Sequence, residues 1–502
     1  MAASSNIFTA KHSLQKLVTV TLAGCGLLAA LDLMWIWHRR TISISFSTTR
    51  IMGPLLADGS IDYREAIDHH AAVGVNPANN AAIDLVRSLG PGTLGAGMTG
   101  LNAINRIGMK MLPARGHYFV PFRSCYLKMH PEDGHFAGHV RPHGKLSRHP
   151  FSSAAHRTTT EWLRLNRISL HWARMAAEKS RFYIPLPRRS LSWYALPDAP
   201  LPYLHKLQEL QEALLQQGML RLDRGDVTGC SKDLLAAHRL ADLVGQGPTI
   251  PQRISARNMD IRASEADWTL LRSTRMTAAE AAAFSASMAA LPRLRPLSGA
   301  VDHFARWAEL DYVQATADDW WGNSVGLHEA GYPIRISALL PPNYTVRMLR
   351  INRWYDRFTK IFSIHGALAR RDAMAALEIR LSGAESGISA SRQRLYLSLV
   401  GENLNSLVPL SAREKSARRI TRTLLALRQY TADHGHYPTS LKLLVPAYLK
   451  RIPRDAFTAR PILLLHENGA CALVMAASFH SLAAGVNGPL AGSQMVVNLP
   501  RR

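Results

Sequence analysis

One uninterrupted apolar run, residues 17–37 (LVTVTLAGCGLLAALDLMWIW), restricts what this 502-residue chain can fold into more than any other feature of its sequence. Its length matches the roughly 20 apolar residues that a helix needs to cross a bilayer. Trp35 and Trp37 stand at its downstream end, where interfacial aromatic residues are enriched, and Asp32 lies near the same end. We therefore predict a single transmembrane anchor at residues 17–37, preceded by a short tail at residues 1–16.

Two other interpretations of this run remain open. A cleaved signal peptide has a shorter apolar region and a small-residue cleavage site, which the run only half provides. Residues 22–25, Leu-Ala-Gly-Cys, also resemble the bacterial lipobox, in which the cysteine (here Cys25) is lipidated, although the apolar run continues beyond it. For the anchor we expect the bacterial inner membrane, with most of the chain on the periplasmic side. The flanking basic residues nearly balance, so they leave the orientation open.

The net charge of the chain and its distribution indicate which classes of binding partner are favoured. The formal net charge is +24, and the arginines that carry most of it are spread over nearly the whole length. Nucleic-acid binders usually gather such charge in a stripe interleaved with aromatic residues, so the pattern disfavours nucleic acid as a partner. Binding of an anionic polymer through a basic surface stays as an alternative function. No motif in the sequence indicates a cofactor.

The cysteines exclude two kinds of site. They are widely scattered and no two form a C-x-x-C pair, which argues against a dense disulfide scaffold and a cysteine-based zinc site. The cysteines are Cys25, Cys125, Cys230 and Cys471.

The chain changes character after the apolar run. Residues 53–157 are mixed and rich in loops, with short helices predicted near 61–72 and 79–89. Residues 158–405 carry helical periodicity without a fixed repeat, so we predict an irregular multi-helix domain there. Two helix starts carry capping-box spacing: Thr158 with Glu161, and Thr277 with Glu280.

Residues 411–500 form a different kind of unit. We predict a long helix capped by Ser411 and a short helix that begins at Pro438. Two apolar runs flank Asn468-Gly469, a dipeptide typical of a hairpin turn, and SQMVVNLP can add a third strand. The predicted fold class is therefore mainly α, with an N-terminal transmembrane helix, an irregular multi-helix domain, and a small C-terminal α+β module that contains an antiparallel hairpin or three-stranded sheet.

A histidine-rich segment, residues 130–156, has the spacing of a metal site. His135, His139 and His143 recur every four residues, which on a helix would place three imidazoles on one face. Glycine and proline between them argue against a helix, so the segment also fits a surface loop. These three histidines are the candidate metal ligands, and a metal-dependent hydrolase that uses them is a second alternative function.

The stretch LRQYTADHGHYPTSLKLLVPAYLKRIPRDAF, residues 427–457, has the pattern of a structural motif. A glycine ends one helix, prolines bracket a short one, and apolar residues can pack the short helix back on the long one. The pattern has no arrangement typical of nucleophilic, metal-binding or phosphate-binding sites. The residues of the motif are Gly435, Tyr437, Pro438, Leu441, Pro446, Tyr448, Pro453 and Asp455.

This stretch resembles the C-terminal part of the major pseudopilin of type II secretion. It resembles more closely a set of uncharacterised, single-anchor bacterial envelope proteins that end in the same module. Blocks at 79–91, 220–250 and 352–358 are similar to blocks of that set in the same order. The resemblance implies an N-terminal anchor, a helical domain that faces the envelope, and a pseudopilin-like α+β end. It implies no known activity.

The chain departs from the pseudopilin pattern near its end. Ala456 replaces the usual proline, and the region after the predicted hairpin lacks the acidic loop with which pseudopilins hold calcium. We therefore interpret Asp455 as a turn or cap residue. The resulting hypothesis is a membrane-anchored, non-enzymatic interaction or structural protein, with another envelope protein as its partner. The sequence leaves the oligomeric state open.

Overall fold

The fold is mainly helical and carries one small three-stranded antiparallel sheet, which confirms the predicted fold class at that level. None of the described helices has the length and apolarity needed to cross a membrane. The predicted anchor, residues 17–37, lies almost wholly outside the described residues. The computed structural model describes residues 41–95, 97–132, 143–187, 201–318, 343–383, 388–467, 470–475 and 495–499, together with Gly26, Leu27, Ala30, Leu31 and Met34.

Helices follow one another along most of the described chain. Two 3₁₀ turns, Pro91–Leu94 and Leu441–Leu444, and a π-helical turn, Ala300–Ala305, accompany the α-helices. In chain order the α-helices are α1 (Tyr63–Ala72), α2 (Ala81–Leu89), α3 (Gly97–Arg106), α4 (Phe122–Met129), α5 (Arg157–Leu165), α6 (Arg167–Ala177), α7 (Pro202–Asp223), α8 (Val227–Gln246), α9 (Ile250–Arg272), α10 (Ala278–Ala289), the single turn Leu297–Gly299, α11 (Arg306–Asp318), α12 (Tyr344–Ser363), α13 (Ala367–Gly383) and α14 (Ile388–His434).

The two capping boxes expected from the sequence have different outcomes. Thr277 and Glu280 form the reciprocal pair of hydrogen bonds at the start of α10, as predicted. Thr158 instead lies inside α5, which begins after His156 without a side-chain cap. Thr158 and Glu161 therefore have the spacing of a capping box without forming one, because Thr158 is itself helical and does not precede the helix.

Helix α14 is the largest difference from the sequence prediction. The sequence predicts a helix start at Ser411, but α14 begins at Ile388 and contains both Pro409 and Ser411. Leu407 is fully buried and Ala412 is 2% exposed, so apolar packing continues on both sides of the proline. Tertiary contacts thus extend the helix through a position where local propensity favours a boundary.

Two hydrophobic cores lie along α14. The first is formed largely by α2, by α5 to α9 and by the second half of α14, and it contains Trp162 and Ile420. The second is formed largely by α1, α11, α12 and α13, and it contains Tyr355 and Phe358. Leu407, in the first half of α14, belongs to the second core. One helix therefore contributes apolar side chains to both cores.

The sheet has the order β1-β2-β3 and is antiparallel throughout. Its strands are β1 (Leu463–Glu467), β2 (Ala470–Met475) and β3 (Met495–Asn498). Leu473 pairs with Val497, and both are buried in the first core. Leu463 and Leu465 point to the opposite face, where about half of each side chain is exposed. The C-terminal module therefore shares its core with the preceding helices.

Candidate functional site

Among the described residues, a fully enclosed group of ionisable side chains surrounds His238 on α8. We call His238, Asp260, Asp267 and Arg418 the His238 cluster. The two ring nitrogens of His238 lie 2.8 Å from Asp260 Oδ1 and 2.9 Å from Asp267 Oδ2. Arg418 donates from Nε and Nη2 to the two carboxylate oxygens of Asp260, at 2.7 and 2.8 Å. The side chains of His238, Asp260 and Asp267 are completely buried.

The charges of the His238 cluster stabilise one another. Burial alone would lower the pKa of His238, but Asp267 and Asp260 raise it to about 9. The ring therefore carries both protons at neutral pH and donates to both acidic side chains, although burial raises the pKa of Asp267. Burial would raise the pKa of Asp260, and His238 and Arg418 hold it below its ordinary value. With no exposed surface on its acids or its imidazole, the cluster joins α8, α9 and α14 and offers no position for a substrate.

A second acidic group belongs to α1. Asp68 is 2% exposed and accepts hydrogen bonds from Leu186 N at 2.9 Å and Arg106 Nη1 at 3.0 Å. Arg106 also donates to Glu65 at 3.0 Å. Burial raises the pKa of Asp68 to about 7, a shift that is found at both catalytic and structural sites. Here both carboxylate oxygens have protein partners that connect α1 to α3 and to the segment around residue 186, so the group is structural.

A group of arginines near the start of α9 is compensated less completely, and burial lowers the pKa of each of them. We call Arg253, Arg257 and Arg295 the Arg253 cluster. Arg257 donates from Nη1 to the carbonyl oxygen of Arg253 at 3.0 Å and from Nη2 to that of Arg295 at 2.9 Å. Arg253 is 6% exposed, and its Nε and Nη1 have no hydrogen-bond partner among the described residues. Of the three guanidinium groups, that of Arg257 is therefore held in place by backbone carbonyl oxygens.

The electrostatics of the Arg253 cluster show how poorly its charge is balanced. Burial and the charges of Arg257 and Arg295 lower the pKa of Arg253 to about 9. Asp242 acts in the opposite direction, but burial raises its own pKa and its carboxylate accepts a hydrogen bond from Gln246. An arginine that is buried without a paired carboxylate is rare in proteins. This cluster is the candidate binding site of the molecule.

The structure describes one of the three candidate metal ligands. His135 and His139 lie outside the described residues. His143 lies with its ring stacked on Phe122, at a centroid distance of 3.4 Å, and with its edge toward Trp162. Burial lowers the pKa of His143 to about 4, so the ring is neutral at pH 7. Among the residues that the structure describes, no three His, Cys, Asp or Glu side chains are arranged to hold a metal ion.

The residues of the C-terminal motif occupy turns and helix ends. Gly435 follows α14 with a φ of 78°, and its amide donates to Thr431 O at 2.9 Å. The short helix is a 3₁₀ turn that begins at Leu441, after Ser440, and not at Pro438. The ring of Tyr437 packs against the first core, where Leu441 is buried, and the hydroxyl of Tyr448 donates to Asp433. The carbonyl oxygen of Pro438 accepts a hydrogen bond from His466 Nε2, and that of Pro453 accepts one from Ile462 N. Pro446 follows the 3₁₀ turn.

Asp455 organises the turn that follows Pro453. Its Oδ2 accepts hydrogen bonds from Phe457 N at 3.0 Å and Thr458 Oγ1 at 2.8 Å. Its Oδ1 accepts from Ser416 Oγ on α14 at 2.9 Å, and Asp455 is 1% exposed. With both oxygens engaged in this way, the carboxylate holds the turn and fastens it to α14.

Sequence reasoning missed the charged side chains inside the helical body. Arg253, Asp260 and Asp267 are spaced seven residues apart on α9 and all are buried. A heptad spacing places them on one face, which a search for charge on the core-facing side of α9 could have found. The partner His238 lies on another helix, and only the fold shows that it contacts the two aspartates.

No family model, no curated protein and no solved structure matches this chain. Its function is therefore inferred from its own sequence and geometry.

Proposed function

We propose that the protein is a non-enzymatic, membrane-anchored component of the bacterial envelope, in which the helical domain and the pseudopilin-like C-terminal module form one interaction scaffold. The observation that carries the proposal is the enclosed His238 cluster. Its acids and its imidazole, which in an enzyme could act as acid and base, are fully buried and join α9 to α14. The module is thereby fastened to the helical domain through charged as well as apolar contacts.

The proposed anchor has support from the residues of the apolar run that the structure describes. Leu27, Leu31 and Met34 are helical and expose 64%, 46% and 61% of their surface. Their spacing of four and three residues places them on one face of a helix. Large apolar side chains that the protein itself leaves uncovered are those that a bilayer would cover.

Cell fractionation of the full chain tests the anchor. We expect the full chain to remain with the membranes after a high-pH carbonate wash. A variant that lacks residues 17–37 should move to the soluble fraction with an unchanged helical circular dichroism spectrum. Release of the full chain by the wash would contradict an anchor. Cys25→Ser should leave the fractionation unchanged, whereas release of this variant would favour the lipoprotein interpretation.

Metal analysis tests the non-enzymatic part of the proposal. The full chain, purified without chelators, should carry no stoichiometric zinc, and His135→Ala and His139→Ala should leave its metal content unchanged. One zinc per chain that is lost in both variants would overturn the proposal in favour of a metal-dependent hydrolase. His171→Ala is the matched control, because His171 is an exposed histidine on α6, outside the candidate segment.

A further inference from the structure

Arg253 carries a charge that the described part of the protein does not neutralise. The side chain is 6% exposed, and neither Nε nor Nη1 finds an acceptor there. Arg418, on the neighbouring α14, shows the ordinary arrangement: its side chain is 15% exposed, and it donates two hydrogen bonds to the carboxylate of Asp260. Because a buried cation without a counter-charge is costly, its position near the start of α9 requires a reason.

The surroundings of Arg253 increase the positive potential. Arg257, one turn further along α9, is fixed beside it by the hydrogen bonds to the carbonyl oxygens of Arg253 and Arg295. The amino-terminal end of a helix adds a partial positive charge, so three guanidinium groups gather where the dipole of α9 already repels them. Asp242 counteracts the positive charge of Arg253 and Arg295, and Glu414 and Asp260 counteract that of Arg257.

The cluster extends from the interior to the surface. Arg253 is its buried member, and Arg295 is exposed on the segment that follows α10. Arg418 donates to the carbonyl oxygen of Pro292 at 3.1 Å, which holds the same segment against the helices. Beyond Arg295 lie His70 and His303, whose rings stack at a centroid distance of 5.0 Å. Arg295 is therefore the member of the cluster that a dissolved anion can reach directly, and Arg253 is the member that solvent reaches least.

We propose that the Arg253 cluster is a binding site for a phosphate group, carried either by a small phosphate ester or by a lipid headgroup. The planar donors of guanidinium groups match the oxygens of a phosphate, and a bound dianion would supply the missing acceptors of Arg253. Arg253 is the floor of this site, Arg295 its outer contact, and Arg257 the residue that links the backbone of the two. The proposal goes beyond the scaffold function and does not depend on it.

Thermal unfolding and calorimetry of the full chain in detergent, titrated with inorganic phosphate at constant ionic strength, test the site. Phosphate should raise the unfolding temperature of the natural chain above that in matched chloride. Arg253→Met keeps an unbranched side chain that can fill the apolar part of the space, and it removes the guanidinium charge. We expect this variant to raise the apparent Kd for phosphate by about tenfold or more, the loss of affinity typical of one charge-assisted hydrogen bond.

The unfolding temperature of the same variant without phosphate shows whether Arg253 serves a ligand or stabilises the fold. Because its charge is unpaired, Arg253→Met should unfold at the same temperature as the natural chain without phosphate, or at a higher one. Arg295→Met changes an exposed residue and should weaken phosphate binding several-fold without affecting the fold. Arg262→Met removes an exposed arginine elsewhere on α9 and should leave binding unchanged, which controls for net charge.

The source of the phosphate group is decided by two further probes. Glycerol phosphate represents a soluble ester, and detergent micelles with or without phosphatidylglycerol represent a lipid headgroup. A stabilisation that disappears in Arg253→Met supports the site, and the probe that produces it identifies the source. The proposal is overturned if no probe stabilises the natural chain, or if Arg253→Met and Arg262→Met respond alike.

Discussion

At the scale of single residues, the molecule contains two contrasting histidines. His238 lies between two carboxylates and is held as a cation, because Asp267 and Asp260 offset the cost of its burial. His143 lies between aromatic rings without a nearby carboxylate partner, and burial keeps it neutral. The same side chain thus takes opposite charge states in one protein, according to whether a counter-charge accompanies it into the interior.

Replacement of His238 by glutamine should lower the free energy of unfolding by about 3–5 kcal/mol, the cost of leaving buried charges without their partner. The variant would leave Asp267 without a cation, although Arg418 would still pair with Asp260. Urea unfolding of both chains measures the difference. His171→Gln makes the same change at an exposed position and should stay within about 0.5 kcal/mol of the natural chain. Equal effects of the two variants would show that the His238 cluster does not stabilise the fold.

The neutral state of His143 predicts a pH dependence on the acid side. Its pKa is about 4 in the folded protein and about 6.5 in the unfolded chain, so the unfolded chain binds the extra proton first as pH falls. The stabilisation is complete above pH 6.5, and about 2 kcal/mol of it should be lost between pH 6.5 and 4.5. His143→Phe keeps the ring beside Phe122 and should remove that part of the pH dependence. Urea unfolding at the two pH values measures it, and parallel curves for both chains would refute the assignment.

At the scale of secondary-structure elements, α14 decides the architecture. It brings Arg418 to Asp260, Thr421 to the indole nitrogen of Trp268 at 3.0 Å, and Ser416 to Asp455. The first two contacts join the helix to α9, and the third joins it to the turn at Asp455. The helix therefore connects the helical domain to the C-terminal turn, and its own end must be defined sharply for the chain to reverse.

Gly435 provides that end, and its φ of 78° predicts the effect of a side chain. Gly435→Ala should lower the free energy of unfolding by about 1 kcal/mol, since a Cβ is strained in the left-handed region. Gly299→Ala is the matched control: Gly299 has a helical φ of −64°, and a Cβ there would meet no atom within 4 Å. The control should be neutral or stabilising by up to about 1 kcal/mol. Equal destabilisation by both variants would contradict a specific role for Gly435.

The sequence predicted several elements well because their signals are local. The capping box at Thr277 and the hairpin around Asn468-Gly469 depend on a few neighbouring residues, and β1 and β2 flank that dipeptide as expected. The start of α14 was predicted wrongly, because Ser411 satisfies a capping pattern that the packing around Pro409 overrides. The candidate site escaped prediction for a related reason. Arg253 differs from other arginines only in what surrounds it.

At the scale of the whole molecule, the division between residues 405 and 411 that the sequence suggests falls within α14. Leu404 and Leu407 belong to the second core, and Leu424 and Leu427 belong to the first. A cut at this point would remove one wall of the first core. The C-terminal module and the helical domain therefore share α14 and the core around it.

A chain that ends at residue 410 should fail to unfold cooperatively, because it lacks the part of α14 that covers Trp268 and neutralises Asp260. Circular dichroism during thermal unfolding, together with binding of a hydrophobic dye, measures the loss. Co-expression of residues 411–502 as a separate chain is the control and should restore part of the transition. A truncated chain that unfolds at the temperature of the full chain would show that the two parts are independent domains.

The sequence by itself determined the kinds of element: helical periodicity predicts the helical domain, and turn residues predict the hairpin and the end of α14. Those signals depend on residues that are close in sequence, so they can be recognised without knowledge of the fold. The tertiary structure alone decided which charges are buried and how they are compensated. Arg418 meets Asp260 across 158 residues of sequence, while Nε and Nη1 of Arg253, on the same helix as Asp260, have no hydrogen-bond partner among the described residues. The free energy of a charge depends on its solvent exposure and its neighbours, and both are properties of the folded chain.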